Sequence, residues 1–155
     1  MASAHAAAQP SSKVASFTST GIFFKDTIEV EAFNDPKVQG VTVYLSGVKR
    51  PLLDRLKKDF FTEPSSSSIT CCQSGPIKFL EPIALSAAGE EVFSARRNMF
   101  FKYVHVRRVF DAENNALIYI GYSSRLTGDF EDQHAQYRTS VAALSLTGQN
   151  IVVPA

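Results

Sequence analysis

Residues 27–33 read TIEVEAF, with apolar and polar side chains in strict alternation. A period of two is that of a strand with one wet face, and it predicts Ile28, Val30 and Ala32 inward with Thr27, Glu29 and Glu31 outward. Asn34-Asp35-Pro36 follows as a turn, because an Asx side chain can cap backbone N–H groups while Pro fixes φ. From Gly40 a second alternation places Val41, Val43 and Leu45 inward and Thr42, Tyr44 and Ser46 outward. The two runs predict an antiparallel hairpin. Residues 51–61 (PLLDRLKKDFF) change period: Leu52, Leu53, Leu56 and Phe60 share a helical face, Asp54–Lys58 and Arg55–Asp59 pair at i,i+4, and Pro51 suits the first helical position. A serine run, 65–68, ends this expected helix as a polar linker too short to separate domains.

Residues 69–74 predict a short strand reaching the turn signal Gly75-Pro76, and 77–83, broken by Pro82, an edge strand. The segments 100–110 and 116–122 are richest in aromatic and β-branched residues. Between them 111–115 has turn composition and hairpin length. Both segments are apolar on both faces near their middles, which predicts central strands. Residues 138–146 supply a last strand, which 151–153 would extend. The predicted architecture is mainly β, a single antiparallel β-sandwich or barrel-like domain with one or two surface helices, over 14–155 behind a tail, 1–13.

A length of 155 residues fits one such domain. Lys plus Arg at 16 against Asp plus Glu at 15 gives a net charge of +1, which argues against a nucleic-acid partner, since phosphate neutralisation needs a basic surplus. No run approaches the ~20 apolar residues of a membrane-spanning helix. The first twelve residues lack the basic and Leu-rich parts of an export signal. Ala4-His5-Ala6 has the small-x-small form of a cleavage site, so this stretch reads either as the remnant of a targeting segment or as an Ala/Ser tail.

Candidate chemistry is sparse. The chain has no Gly-x-Ser-x-Gly elbow and no phosphate-binding glycine pattern, and no catalytic, cofactor or metal residues are assigned. Cys71 and Cys72 are neighbours that point to opposite faces of a strand, so a disulfide between them is sterically poor. No CxxC or HxxxH spacing supports zinc. His134 lies in an acidic stretch with Asp129, Glu131 and Asp132 that reads as a solvated loop. His105 and Arg107 share a face of their strand while Arg108 points the other way, and a small-ligand or enzyme pocket at His105, Arg107 and Tyr119 is the alternative functional reading. The first reading is a non-catalytic accessory or binding protein. Lys49 to Phe61 carries five basic and two acidic residues, and Lys49, Arg50, Leu53, Arg55, Lys57, Lys58 and Phe61 are its candidate contacts with an acidic protein surface or lipid headgroups.

Taken together, IEVEAFNDPKVQGVTVYLS (28–46), ITCCQSGPI (69–77), GEEVFSARRNMFFKYVHVRRVFDAENNALIYIGYSS (89–124) and, more weakly, TSVAAL (139–144) resemble the CreA family of small exported bacterial proteins. The EAF-x-DP and R-x-[FY]DA-x-x-NAL-x-Y-like patterns carry the likeness, the latter through Arg108, Phe110, Asp111, Asn115, Ala116, Leu117 and Tyr119. The resemblance implies a periplasmic or exported setting with a name linked to catabolite or stress regulation, and it supplies no catalytic residues. It also implies a cysteine pair that looks like a disulfide, one in the strand before Gly-Pro-Ile, kept as Cys71, and one where this chain has Val43. The family's glycine-rich loop is replaced here by 51–61 and the serine run. These departures suggest another compartment or a fixed partner, such as a membrane-associated complex in a plastid or thylakoid lumen.

Overall fold

The computed structural model describes residues 11–19, 25–49, 67–96, 103–126 and 135–154. They form eight strands: β1 (Ser12–Thr18), β2 (Thr27–Asn34), β3 (Val38–Lys49), β4 (Ser67–Phe79), β5 (Glu90–Arg96), β6 (Tyr103–Asp111), β7 (Ala116–Leu126) and β8 (Ala135–Ser145). β1 to β4 make one four-stranded sheet and β5 to β8 another, each in sequence order and antiparallel throughout. Two separate sheets define a sandwich. The expected helix at 51–61 and the acidic loop lie outside the described residues, which contain no helix.

The inward rows carry the core: Phe33, Val41, Val43 and Leu45 from the first sheet meet Phe93, Val104, Val106 and Leu117 from the second. Phe33 stacks on Phe93 with centroids 4.3 Å apart and planes 13° from parallel, joining β2 to β5. Ile69 of β4 packs over Gly121 of β7, where a Cβ would lie 3.4 Å from Ile69 Cβ and 3.2 Å from Ser140 Oγ.

β2 reverses the expected face. Phe33 pairs with Val43, Glu31 with Leu45 and Glu29 with Gly47, and partners directly across a ladder share a face. Glu29, Glu31 and Phe33 therefore belong to the inner side, and Glu29 is 7% exposed. The bulky Phe33, next to the turn, sets the parity that the alternation of small apolar residues had suggested for Ile28, Val30 and Ala32.

β4 also departs from expectation, running unbroken through Gly75-Pro76 to Phe79. The register steps from Val41↔Gln73 to Gln39↔Lys78, which absorbs the extra residues as an irregularity. Gly40 faces it with φ +85°, and a Cβ there would lie 2.3 Å from the Pro76 carbonyl oxygen. Pro76 is tolerated because β4 is an edge strand of its sheet.

The hairpin between β6 and β7 forms as expected, and both strands are central. Asp111 Oδ1 accepts from the Asn114 N–H at 3.1 Å and Oδ2 from Asn114 Nδ2 at 2.8 Å, while Asn115 takes φ 49°. β1 was not anticipated, and it starts at Ser12, inside the stretch expected as a tail. Residues 151–153 do not extend β8. Val153 instead packs on the core, and the Pro154 carbonyl accepts from Ile83 N–H at 3.1 Å.

Candidate functional site

The densest group of charged side chains lies between the sheets, at the end where the short turns are. Asp35, in the β2–β3 turn, caps the N–H groups of Lys37 (2.9 Å) and Val38 (3.2 Å) through Oδ1, as its turn position led one to expect. The same carboxylate accepts from Arg108 Nη1 at 2.5 and 2.6 Å and from the Tyr119 hydroxyl at 2.7 Å. Arg108 Nη2 donates to Glu90 Oε1, and Glu90 Oε2 accepts from Lys37 Nζ at 2.8 Å. Lys37 Nζ also reaches the Pro82 carbonyl at 3.2 Å, tying in the connector between the sheets.

The side chains of Arg108 and Asp35 are 1% and 0% exposed. Charges so buried persist only when paired and hydrogen-bonded, and this group holds two cations against two carboxylates. Burial, with the Asp35 carboxylate alongside, pushes the Tyr119 phenol well above its usual range, so it remains a donor. Burial acts to raise Glu90, but the Lys37 hydrogen bond and the charges of Arg108 and Lys37 outweigh it and hold the carboxyl below its ordinary value. Gly89 is required beside the cluster: its φ is +57°, and a Cβ would meet the Arg108 carbonyl oxygen at 2.1 Å. Chemically the arrangement is a latch. Its donors and acceptors face one another.

The expected pocket residues are divided by the sheet. Tyr119 pairs with Arg108 and faces inward, whereas Arg107 pairs with Ile120 and His105 with Tyr122 on the outer face. His105 stacks on Tyr122 with centroids 5.0 Å apart, and its Nδ1 lies 3.1 Å from Glu91 Oε2 and 3.4 Å from Ser94 Oγ. Serine and carboxylate thus meet the same ring nitrogen, whereas a Ser-His-acid relay needs them on opposite nitrogens. Of the candidate docking residues, Lys49 ends β3, and Arg50, Leu53, Arg55, Lys57, Lys58 and Phe61 lie outside the described residues. Cys71 stands directly across from Val43, the position at which the family resemblance implied its partner. Burial first, and then Cys72 beside it, raise the Cys71 thiol, the reverse of the activation a redox thiol needs. Among the described residues no three His, Cys, Asp or Glu side chains gather as metal ligands, and no helix is long and apolar enough to cross a membrane.

Sequence reasoning treated Asp35 as a turn residue alone and gave Arg107, not Arg108, to the pocket. The available signal was the resemblance itself, whose patterns contain Asp35, Arg108 and Tyr119.

Fold and cluster together define a two-sheet antiparallel sandwich latched by a buried ionic group. Residues 14–149 match the family described as CreA protein, and the chain belongs to that family. It is 39% identical over 105 residues to Protein CreA of Escherichia coli strain K12, covering 64% of this chain and 63% of the relative, and the same figures hold for Protein CreA of E. coli O157:H7. The match thus spans somewhat under two thirds of these relatives' length, and their name carries no enzymatic activity. No solved structure matches the chain.

Proposed function

We propose that this protein is a non-catalytic binding or accessory subunit, docking on an acidic protein surface of a larger, membrane-associated assembly in a periplasm-like compartment or organelle lumen. The observation that carries the reading is the latch. Asp35, Arg108 and Tyr119, three of the polar residues in the patterns that carry the family likeness, join through the Asp35 carboxylate in the interior, where they hold the sheets together and touch no open surface. The segment in which the chain departs from those patterns, 50–66, joins β3 to β4 at the other end of the strands, with a surplus of basic residues from Lys49 onward.

Native-mass analysis after gentle purification from the source organism tests this. The expected result is a defined complex that Lys57→Glu with Lys58→Glu disrupts while the spectrum of the folded chain is unchanged. Recovery of the wild-type chain only as a free monomer at high concentration overturns it.

A further inference from the structure

We propose that the outer face of the second sheet binds a small amphipathic carboxylate, its carboxylate on the Arg107 guanidinium and its apolar body over Ile120 and Val141. These three residues form one row across β6, β7 and β8, and Val109 and Ile118 form the next. Val141 is 65% exposed. Among the described residues no other strand packs along this face.

Arg107 Nε is buried and has no hydrogen-bond partner. A buried N–H left unmet calls for an acceptor that the protein itself does not supply. Glu91, directly across the ladder, turns Oε2 to His105 Nδ1 at 3.1 Å instead. The contrast with the adjacent Arg108, which holds two carboxylates, is internal to one strand. A carboxylate matches the planar guanidinium fork, and an alkyl body matches the apolar rows beside it. Glu91 cancels the field of Arg107 at a distance, so recognition here depends on short-range hydrogen bonding together with apolar contact. Neither half suffices alone.

This site is independent of the docking reading, and its test needs no partner. Octanoate is titrated into the isotope-labelled full chain while the Arg107 Nε–H and the Ile120 and Val141 methyl resonances are followed by NMR. Saturable shifts at all three are expected, with affinity falling about fourfold for each methylene removed from the ligand. The affinity changes little with added salt, since long-range attraction contributes little. Octanol binds at least about tenfold more weakly, for want of the charge-assisted hydrogen bonds. Arg107→Gln abolishes the shifts, and Val141→Ser, at an exposed position, weakens binding without touching the guanidinium. Acetate binding as well as octanoate, octanol binding equally well, or an unchanged response in Arg107→Gln overturns the proposal.

Discussion

The two ends of the sandwich are built on opposite terms. At one, the Asn34–Lys37 turn, the connector 80–89, the Asp111–Asn115 turn and the C-terminal segment 146–154 are stitched by short-range bonds. Lys37 O accepts from Leu80 N–H at 2.8 Å and Asn115 O from Leu146 N–H at 2.8 Å. Beneath them lies the latch of Asp35, Arg108, Tyr119, Glu90 and Lys37. From the other strand ends depart the connections 19–26, 50–66, 97–102 and 127–134. Toward that side the inner rows turn polar and small, through Glu29, Gly47 and Ser67 on one sheet and Ser123 on the other. The first end thus fixes the layers to each other.

Removing one latch charge is the severest way to break the comparison. Arg108→Ala leaves Asp35 buried without its main counter-ion, and urea unfolding should show a loss of about 3–5 kcal/mol. Tyr119→Phe deletes one hydrogen bond to a buried carboxylate and should cost about 1.5–3 kcal/mol by the same measurement. Away from the latch, Lys13→Ala removes the Lys13–Glu29 pair at 2.8 Å; with the lysine half exposed but Glu29 buried, the loss should be about 1–2 kcal/mol, well below that of Arg108→Ala. Equal losses for Arg108→Ala and Lys13→Ala would erase the distinction. The smallest effect expected is in pH. Because the folded Glu90 carboxyl sits below its ordinary 4.5, the unfolded chain binds more protons between that value and the folded one. Its contribution is therefore intact above the unfolded value and is lost as pH falls through the folded one. Unfolding midpoints followed through this acid range should fall less steeply in Glu90→Gln than in the wild type.

Much of the fold was legible because strand periodicity is local. The inward set Val41, Val43 and Leu45, the 111–115 turn and the central placement of β6 and β7 all follow from short stretches of sequence. The face of β2 was not legible, because its parity depends on which residue lies opposite Val43. Gly75-Pro76 looked like a chain reversal, yet an edge strand facing a glycine of positive φ absorbs it. The latch was least legible of all. Asp35 and Arg108 stand 73 positions apart, and nothing near either distinguishes a buried ion pair from a turn residue and a surface arginine.

Each sheet is one uninterrupted half of the chain, and this has a kinetic consequence. Hairpins between consecutive strands close over short separations, whereas docking the sheets joins groups 73 to 84 residues apart. Loop-closure entropy therefore favours hairpin pairing ahead of sheet docking, and the desolvation of Arg108 with Asp35 is expected to accompany the docking. Cutting the chain within 80–89 would turn that step from an intramolecular event into an encounter between two fragments, with a rate set by their concentration.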